Sequence, residues 1–253
     1  MAVKVSKESV RLLVSASQYA VRLARTPEEI QAAQALRFQV FNLELNEGLA
    51  GSYSTGLDAD PFDAVCDHLI VEHVPSQQIV GTYRLQTGTS AAKNLGYYCE
   101  QEFQFDVFEP LRPRIVELGR ACVHRQHRNL LVLGLLWKHI GEYAHTHGGR
   151  YLIGCSSLTS QEPAAGASAY TDLCRNHLVA PEWRTKPLPS HDCTLDAVTE
   201  DPTAIPKLLR VYLMLGAKIC GPPALDRQFK TIDFLTFMDL ETLSESNRER
   251  FLS

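Results

Sequence analysis

The stretch that decides the fold is IVELGRACVHRQHRNLLVLGLLW, residues 115–137. Its apolar beginning predicts a buried strand over 115–123, and its apolar end opens a helix predicted over 127–147. Inside the strand, Glu117 and Arg120 are costly to bury unless they are paired or used. A basic turn that leads into a helix start is a place where an anion binds. The stretch therefore predicts a catalytic strand that feeds an anion-binding helix.

The spacing of the two charges within this strand matters for where they point. Strict alternation sends Glu117 and Arg120 to opposite faces of a sheet. Gly119 lies between them, and a glycine inside a strand is typical of a β-bulge. A bulge lets both side chains reach one site and frees a backbone N–H for an oxyanion. The alternative is a structural ion pair between Glu117 and Arg120.

Composition limits the classes of function. The chain has 253 residues, of which 45% are hydrophobic and 21% charged, as in ordinary globular proteins. The formal net charge of −4 argues against general nucleic-acid binding, so no nucleic-acid partner is expected. Between residues 112 and 150, however, seven Lys or Arg stand against two Glu, a local excess of +5. That local field favours an acidic partner.

The cysteines and the apolar runs indicate the compartment. Seven scattered cysteines without a CxxC motif predict neither disulfides nor a metal site, and they fit a reducing cytoplasm. No apolar run is long enough to span a membrane. Residues 1–20 read as an N-terminal amphipathic segment rather than a signal peptide. We expect the remainder, 21–253, to form a single domain.

The hydrophobic pattern predicts an α/β protein. Antiparallel strands come first, and strands then alternate with helices, which gives a mixed sheet with helices on both faces. The predicted strands are 21–24, 68–73, 79–86, 115–123, 151–155, 217–220 and 231–239. The predicted helices cover about 26–45, 127–147, 161–178 and 203–215.

The first predicted helix carries two charges on its apolar face. At 3.6 residues per turn, Arg37 and Glu44 fall on the stripe that Ile30, Val40 and Phe41 define. Their burial points to a functional role. The alternative is that Arg37 and Glu44 pair with each other.

A cluster of aspartates follows this helix. Asp58, Asp60, Asp63 and Asp67 lie within ten residues, without the spacing of a calcium-binding loop. Turn-forming and capping roles are one interpretation. Binding of a cationic substrate is another, and Asp67, at the start of a strand, is the residue most expected inside a site.

Six segments in order resemble the acyltransferases of ornithine lipid synthesis, from about residue 20 to the C-terminus. That family belongs to the GNAT superfamily and is related to N-acyl amino acid synthases and acyl-homoserine-lactone synthases. The segments are LRFQVFNLELNEG (36–48), FDAVCDHLIV (62–71), IVGTYRLQ (79–86), ELGRACVHRQHRN (117–129), RYLIGCSS (150–157) and IPKLLRVYLMLGAKICGPPALDRQF (205–229).

The resemblance implies the GNAT fold, a mixed and splayed β-sheet whose fourth strand, here 115–123, carries a bulge. It implies a catalytic group formed by Glu117, Gly119 and Arg120. Most of the other residues in the expected site match a pattern of the lactone-synthase relatives. The substrate-binding residues implied are Arg37, Phe41, Glu44, Asp63, Asp67 and Arg84.

The chain departs from coenzyme-A-dependent relatives at the turn before the helix. Those enzymes carry a glycine-rich loop there for the pyrophosphate, whereas residues 125–131 read RQHRNLL. We therefore predict no bound cofactor and an acyl-phosphopantetheine co-substrate carried by acyl carrier protein, an acidic partner that suits the basic turn. The residues expected to bind the carrier protein and its phosphopantetheine are Arg125, His127, Arg128 and Asn129.

The activity implied is transfer of a fatty acyl group, in this family a 3-hydroxyacyl group, from acyl carrier protein to the α-amine of ornithine. Glu117 acts as the base, directly or through a water. The product would be a lysolipid, which implies peripheral contact with the inner face of a bacterial membrane. The alternatives are another acceptor such as glycine, a lactone-synthase-like signal maker, and a non-catalytic carrier- or lipid-binding protein.

Overall fold

The computed structural model describes residues 18–196, 204–245 and 247. In this part of the chain, one mixed sheet contains β1 (Tyr19–Leu23), β2 (Asp67–His73), β3 (Gln78–Thr87), β4 (Ile115–Val123), β5 (Tyr151–Leu158), β6 (Lys218–Ile219), β7 (Ala224–Asp226) and β8 (Thr231–Asp239). Its α-helices are α1 (Pro27–Phe38), α2 (Ser52–Thr55), α3 (Gly88–Lys93), α4 (Leu130–Thr146), α5 (Pro163–Cys174) and α6 (Lys207–Leu215).

The strand order is β1-β2-β3-β4-β5-β8-β6, and β7 pairs with β8. All the neighbouring strands are antiparallel except β4 and β5, which run parallel. The predicted mixed α/β sheet is confirmed. Both ends of the predicted strand 115–123 are confirmed. They are well defined in the sequence because a proline-containing turn precedes the apolar run and a basic turn follows it.

The sheet splays open in its middle. β4 and β5 pair only over their first residues, from Ile115 opposite Tyr151 to Glu117 opposite Ile153. Immediately beyond, Gly154 is required, since a Cβ there would lie 2.3 Å from the backbone oxygen of Leu118. The remaining residues of both strands have no β-pairing with each other, which leaves a gap through the sheet.

The helix boundaries differ from the predictions at their caps. α4 begins at Leu130 rather than 127, because residues Arg125–His127 form a 3-10 turn and Asn129 is the N-cap, its side chain accepting from the Val132 amide at 3.0 Å. The first helix starts as predicted behind its Thr26 cap. At Gln39 it changes from α to π geometry, which continues to Glu44.

The two faces of the sheet have different linings. Tyr83 and Leu85 of β3 belong to the apolar core under α4. Arg84, between them, points to the opposite face, where it meets the segment between α1 and β2. One face is therefore an apolar core and the other holds buried charges, and the gap between β4 and β5 joins them.

In the described residues, no helix is long and apolar enough to cross a membrane. Of the predicted N-terminal segment, residues 1–17 lie outside the described part. β1 already begins at Tyr19.

Candidate active site

A cavity of about 740 Å³ passes through the gap between β4 and β5. On the α4 side its walls are apolar and include Leu118, Leu133 and Leu136. On the α1 side its walls are polar and include Glu117 and Arg120. The predicted catalytic strand therefore forms one wall of a channel that is apolar at one end and charged at the other.

A β-bulge lies in β4, as the sequence suggests. Thr82 is opposite Cys122 and Arg84 is opposite Gly119, so β4 has one residue more than β3 between these pairs. The left-handed backbone belongs to Arg120, with φ of +49°, and not to Gly119. This corrects the expected position by one residue. The consequence is the expected one, since Glu117 and Arg120 both lie beside Tyr98.

Glu117 is held by three N–H donors although it is only 4% exposed. Its Oε1 accepts from the Cys99 amide at 2.8 Å, and its Oε2 accepts from the Tyr98 amide at 3.0 Å and the Gln86 side chain at 2.5 Å. Such donors stabilise a carboxylate and fix its direction. Of the three N–H donors, one reaches Oε1 and two reach Oε2.

A network of three arginines and three aspartates lies next to Glu117. Arg37 forms a bidentate pair with Asp63 at 2.9 and 2.6 Å. Arg84 pairs with Asp63 at 3.0 Å and with Asp60 at 2.6 Å. Arg120 completes the network through Asp60 at 2.9 Å, and Asp58 lies 3.5 Å from Nε of both Arg37 and Arg120. The formal charges cancel.

The electrostatics of this network follow from the pairing. Burial alone would raise the pKa of Asp63, yet its pairs with Arg37 and Arg84 outweigh burial and hold its pKa well below the usual range. For Asp60, burial is likewise outweighed by Arg84 and Arg120, and the pKa is lowered. The aspartates are thus the counter-ions of the chain's own arginines. Arg37, with no exposure, does not line the cavity.

Aromatic rings close the polar end of the cavity. Phe41 packs edge-on against Phe229 with ring centroids 5.3 Å apart. The guanidinium of Arg120 lies 4.5 Å from the ring of Phe229 and 4.8 Å from that of Tyr98. Phe41, Tyr98 and Phe229 all line the cavity.

Two residues expected in the site lie elsewhere. Glu44 is turned outward and pairs with Arg128, because the π-helical turn from Gln39 rotates the residues that follow relative to a regular α-helix. Asp67 is exposed and faces α4, where it accepts a hydrogen bond from the Tyr143 hydroxyl at 2.7 Å. The next residue of β2, His68, points to the opposite face, where its Nε2 lies 3.0 Å from the backbone oxygen of Asp63.

The residues predicted to meet the carrier are partly occupied by internal contacts. Arg128 pairs with Glu44 and donates to the Val123 carbonyl at 2.8 Å. His127 forms a hydrogen bond with the Tyr19 hydroxyl, and Asn129 caps α4. Arg125 is exposed. Arg128 and Asn129 also line the cavity and are exposed, so the channel opens at the start of α4.

Sequence reasoning missed a second group of acids. Glu47, Glu102, Asp226 and Asp233 are each at most 5% exposed. All of them except Glu102 line the cavity, and Glu102 contacts the cavity residue Cys155. A signal was available, since Asp233 interrupts the apolar strand TIDFLTFM as Glu117 interrupts its own strand.

The thiols of the cavity are protonated. Burial raises the pKa of Cys99 to about 12 and that of Cys122 to about 12. The pKa of Cys155 is raised well above its usual value by its hydrogen bond with Cys99 and by burial. A protonated thiol is a poor nucleophile, so the geometry favours direct transfer over an acyl-cysteine intermediate.

The fold and the site together define an acyltransferase of the GNAT fold. The family model described as an acetyltransferase (GNAT) domain matches residues 36–138. The solved N-acyl amino acid synthase FeeM from uncultured soil microbes superposes with a TM-score of 0.55 at 11% identity, covering 92% of this chain and 96% of that one. The AHL synthase LasI superposes with a TM-score of 0.52 at 11% identity, covering 92% and 94%.

Relatives of known activity indicate which family of acyltransferases the chain belongs to. The L-ornithine N(alpha)-acyltransferase of Brucella abortus is 35% identical over 239 residues, which cover 88% of this chain and 85% of that protein. The enzyme of the same name from Rhodobacter capsulatus is 33% identical over 246 residues, or 91% and 93% of the two chains. The chain belongs to the L-ornithine Nα-acyltransferase family.

Proposed function

We propose that the protein transfers a fatty acyl group from acyl carrier protein to the α-amine of ornithine. The observation that carries this proposal is the channel between β4 and β5, which joins an apolar compartment to the buried carboxylate of Glu117. An acyl chain fits the first compartment, and a small charged amine fits the second. Ornithine is the acceptor because the curated relatives bear its name.

Chemistry takes place where the compartments meet. The acceptor's α-ammonium gives a proton to Glu117, directly or through a water, and the free amine attacks the thioester carbonyl. The tetrahedral intermediate loses a second N–H proton and collapses to an amide and the phosphopantetheine thiolate. One of the two protons goes to the thiolate, and the other is released to solvent when Glu117 is regenerated. Backbone of the bulged strand around Gly119 holds the oxyanion.

The arginines that border the cavity bind the acceptor carboxylate in this proposal. Arg84 and Arg120 line the cavity, whereas Arg37 does not. The guanidinium of Arg120 lies between the rings of Tyr98 and Phe229, which restricts its orientation. We assign Arg37 and Asp63 to the support of this pair, and we no longer place Asp67 or Glu44 in the substrate site.

The donor is proposed to be a carrier protein because the opening lacks a glycine-rich cradle for a diphosphate. The turn before α4 contributes side chains instead, with Arg125 and Arg128 exposed there. Lys207, at the start of α6, is exposed and also lines the channel. A positive rim of this kind suits an acidic carrier surface and a single phosphate. The 3-hydroxyl of the acyl group is part of the proposal by family resemblance.

The test measures thiol release and product mass with purified protein. Long-chain 3-hydroxyacyl carrier protein, unhydroxylated acyl carrier protein and acyl-coenzyme A are each supplied with ornithine or glycine. We expect an N-acylornithine from the hydroxylated carrier-protein donor at the highest kcat/KM. Equal or better turnover of acyl-coenzyme A overturns the donor assignment, and preference for glycine overturns the acceptor. No thiol release with any combination supports the non-catalytic alternative.

A further inference from the structure

Glu102 and Asp233 form the centre of a buried acidic group that the mechanism above does not use. Their exposures are 2% and 4%. The ligand atoms of Glu102, Asp233 and Cys155 all lie within 4.8 Å of one another. Asp226 and Glu47, each 5% exposed, lie nearby, since both interact electrostatically with this pair. Four carboxyl groups are thus gathered at the polar end of the cavity.

This acidic group takes part in no ion pair of the described residues, although Arg120, which pairs with Asp58 and Asp60, also acts electrostatically on Glu102. Within the described residues, none of the ion pairs involves Glu47, Glu102, Asp226 or Asp233. The contrast with Asp60 and Asp63, whose charges are balanced by arginines, is direct.

Glu102 and Asp233 share a side-chain hydrogen bond, which requires a proton on one of the two carboxyls. Asp233 Oδ1 and Glu102 Oε1 are inaccessible to solvent and accept no hydrogen bond from an N–H or hydroxyl donor of the described residues. Asp233 lines the cavity, so a ligand there can reach its side chain. Burying a carboxylate oxygen without a donor is costly. A ligand with several N–H donors and a positive charge would remove that cost.

The pKa values of this acidic pair follow from burial and from neighbouring like charge. Burial raises the pKa of Glu102 well above its usual value, and the neighbouring Asp233 and Asp226 add to this effect. Burial also raises the pKa of Asp233. A bound cation would reverse the balance and favour the ionised carboxylates.

The position relative to Glu117 fixes the kind of ligand. Glu117 Oε1 is bonded to the Cys99 amide, the Cys99 thiol lies 3.5 Å from that of Cys155, and the Cys155 thiol lies 3.7 Å from Glu102 Oε2. The acidic group is therefore two side chains away from the proposed base. A short diamino acid can place its α-amine at the base and extend its side chain toward the carboxylates.

We propose that Glu102 and Asp233 bind the side-chain ammonium of the acceptor and so select a diamino acid over a neutral one. This inference rests on the proposed function. It adds the residues that make the acceptor specific, which are different from those that carry out the chemistry.

The experiment compares ornithine with norvaline, which has the same carbon skeleton without the side-chain amine. Wild type is expected to prefer ornithine by at least about 100-fold in kcat/KM, because a buried site built for a charged donor rejects its apolar analogue. Asp233→Asn and Glu102→Gln are each expected to lower kcat/KM for ornithine by about 10- to 100-fold and to affect norvaline far less. The ratio between the acceptors therefore collapses.

Asp239→Asn is the matched control. Asp239 lies on the same strand, but it pairs with Arg150 and does not line the cavity. Its ratio of ornithine to norvaline should equal that of wild type. A second measurement does not depend on turnover: ornithine should raise the melting temperature of wild type more than norvaline does, and the difference should shrink in both test variants.

The outcomes separate the two proposals. If wild type acylates ornithine and the variants keep the wild-type ratio and thermal shift, the ammonium assignment is wrong while the proposed function stands. If wild type does not use ornithine, the proposed function is wrong and this inference falls with it. Elemental analysis that finds one equivalent of metal, lost in Asp233→Asn together with activity on norvaline, would replace the ammonium with a metal ion.

Discussion

Arg37 in α1 and Asp63 in the turn before β2 form a two-bond ion pair in which neither side chain is more than 6% exposed. The pair joins the first helix to the segment that precedes the hairpin, and through Asp63 it reaches Arg84 on β3. It therefore fixes the polar face of the sheet on which the arginines of the cavity depend. Sequence pattern alone could not distinguish this supporting role from direct substrate binding.

We expect Asp63→Asn to destabilise the protein by about 3–5 kcal/mol, because it removes the bidentate partner of the buried Arg37 and a partner of the buried Arg84. Urea denaturation followed by circular dichroism measures the change. Asp172→Asn is the control, since Asp172 pairs with Arg175 on the surface, where both are largely exposed, and should cost less than about 1 kcal/mol. Equal midpoints for the two variants would contradict the supporting role.

The assignment of Glu117 as base predicts a kinetic effect that depends on pH. Glu117→Gln should lower kcat by about 100-fold or more, with a smaller change in KM for the acceptor. Because the variant must wait for spontaneously deprotonated amine, its rate should rise more steeply with pH than that of wild type. Thiol release between neutral and alkaline pH measures this.

The control for this prediction is Glu142→Gln, a substitution of the same kind at an exposed position of α4. It should behave as wild type. If a Glu117→Gln variant folds and keeps the wild-type rate and pH profile, Glu117 is not the base. Its role would then be to position the backbone amides to which it is bonded.

The left-handed backbone of Arg120 predicts an order of stability between two variants. Both Arg120→Gly and Arg120→Ala remove the guanidinium and its pairs with the aspartates. Only glycine adopts φ of +49° without strain, so Arg120→Gly should be more stable than Arg120→Ala by about 1 kcal/mol. Thermal denaturation of the two proteins measures the difference. The reverse order would mean that the bulge relaxes when the arginine is removed.

The catalytic strand could be read from sequence because its signals are local. Glu117 and Arg120 stand out in an apolar run, and Gly119 marks a bulge to within one residue. The orientation of Glu44 could not be predicted from sequence. The prediction assumed 3.6 residues per turn, whereas residues Gln39–Glu44 form a π-helical turn.

Long-range arrangement explains the other differences. Asp67 was expected inside the substrate site, but the first residue of a strand can point to either face, and pairing with β3 sends this one toward Tyr143. Glu102 and Asp233 come from distant parts of the chain: Glu102 ends the 3-10 turn Cys99–Gln101 and contacts Cys155 of β5, and β5 pairs with β8, which carries Asp233. No spacing in the sequence encodes that encounter.

The buried Glu47 predicts how stability depends on pH. Burial raises its pKa from 4.5 to about 7. A carboxyl whose pKa is higher in the folded state contributes stability below its unfolded pKa and loses that contribution as pH rises through its folded pKa. Between about pH 5 and pH 7.5, wild type should therefore lose about 2 kcal/mol more than Glu47→Gln. Chemical denaturation at both pH values measures this, with exposed Glu182→Gln expected to match wild type.

The apolar compartment predicts how acyl-chain length can be changed. Leu133 lines the α4 side of the cavity, so Leu133→Trp should fill part of the space given to the acyl chain. We expect kcat/KM to fall by at least about tenfold for a long-chain acyl carrier protein and to change little for a short-chain one, because overpacking costs about 1–3 kcal/mol only where the chain must pass. Leu95→Trp, at an exposed position outside the cavity, is the control and should leave both rates near those of wild type. An equal loss with both chain lengths would place the acyl group elsewhere and leave the channel to the pantetheine arm alone.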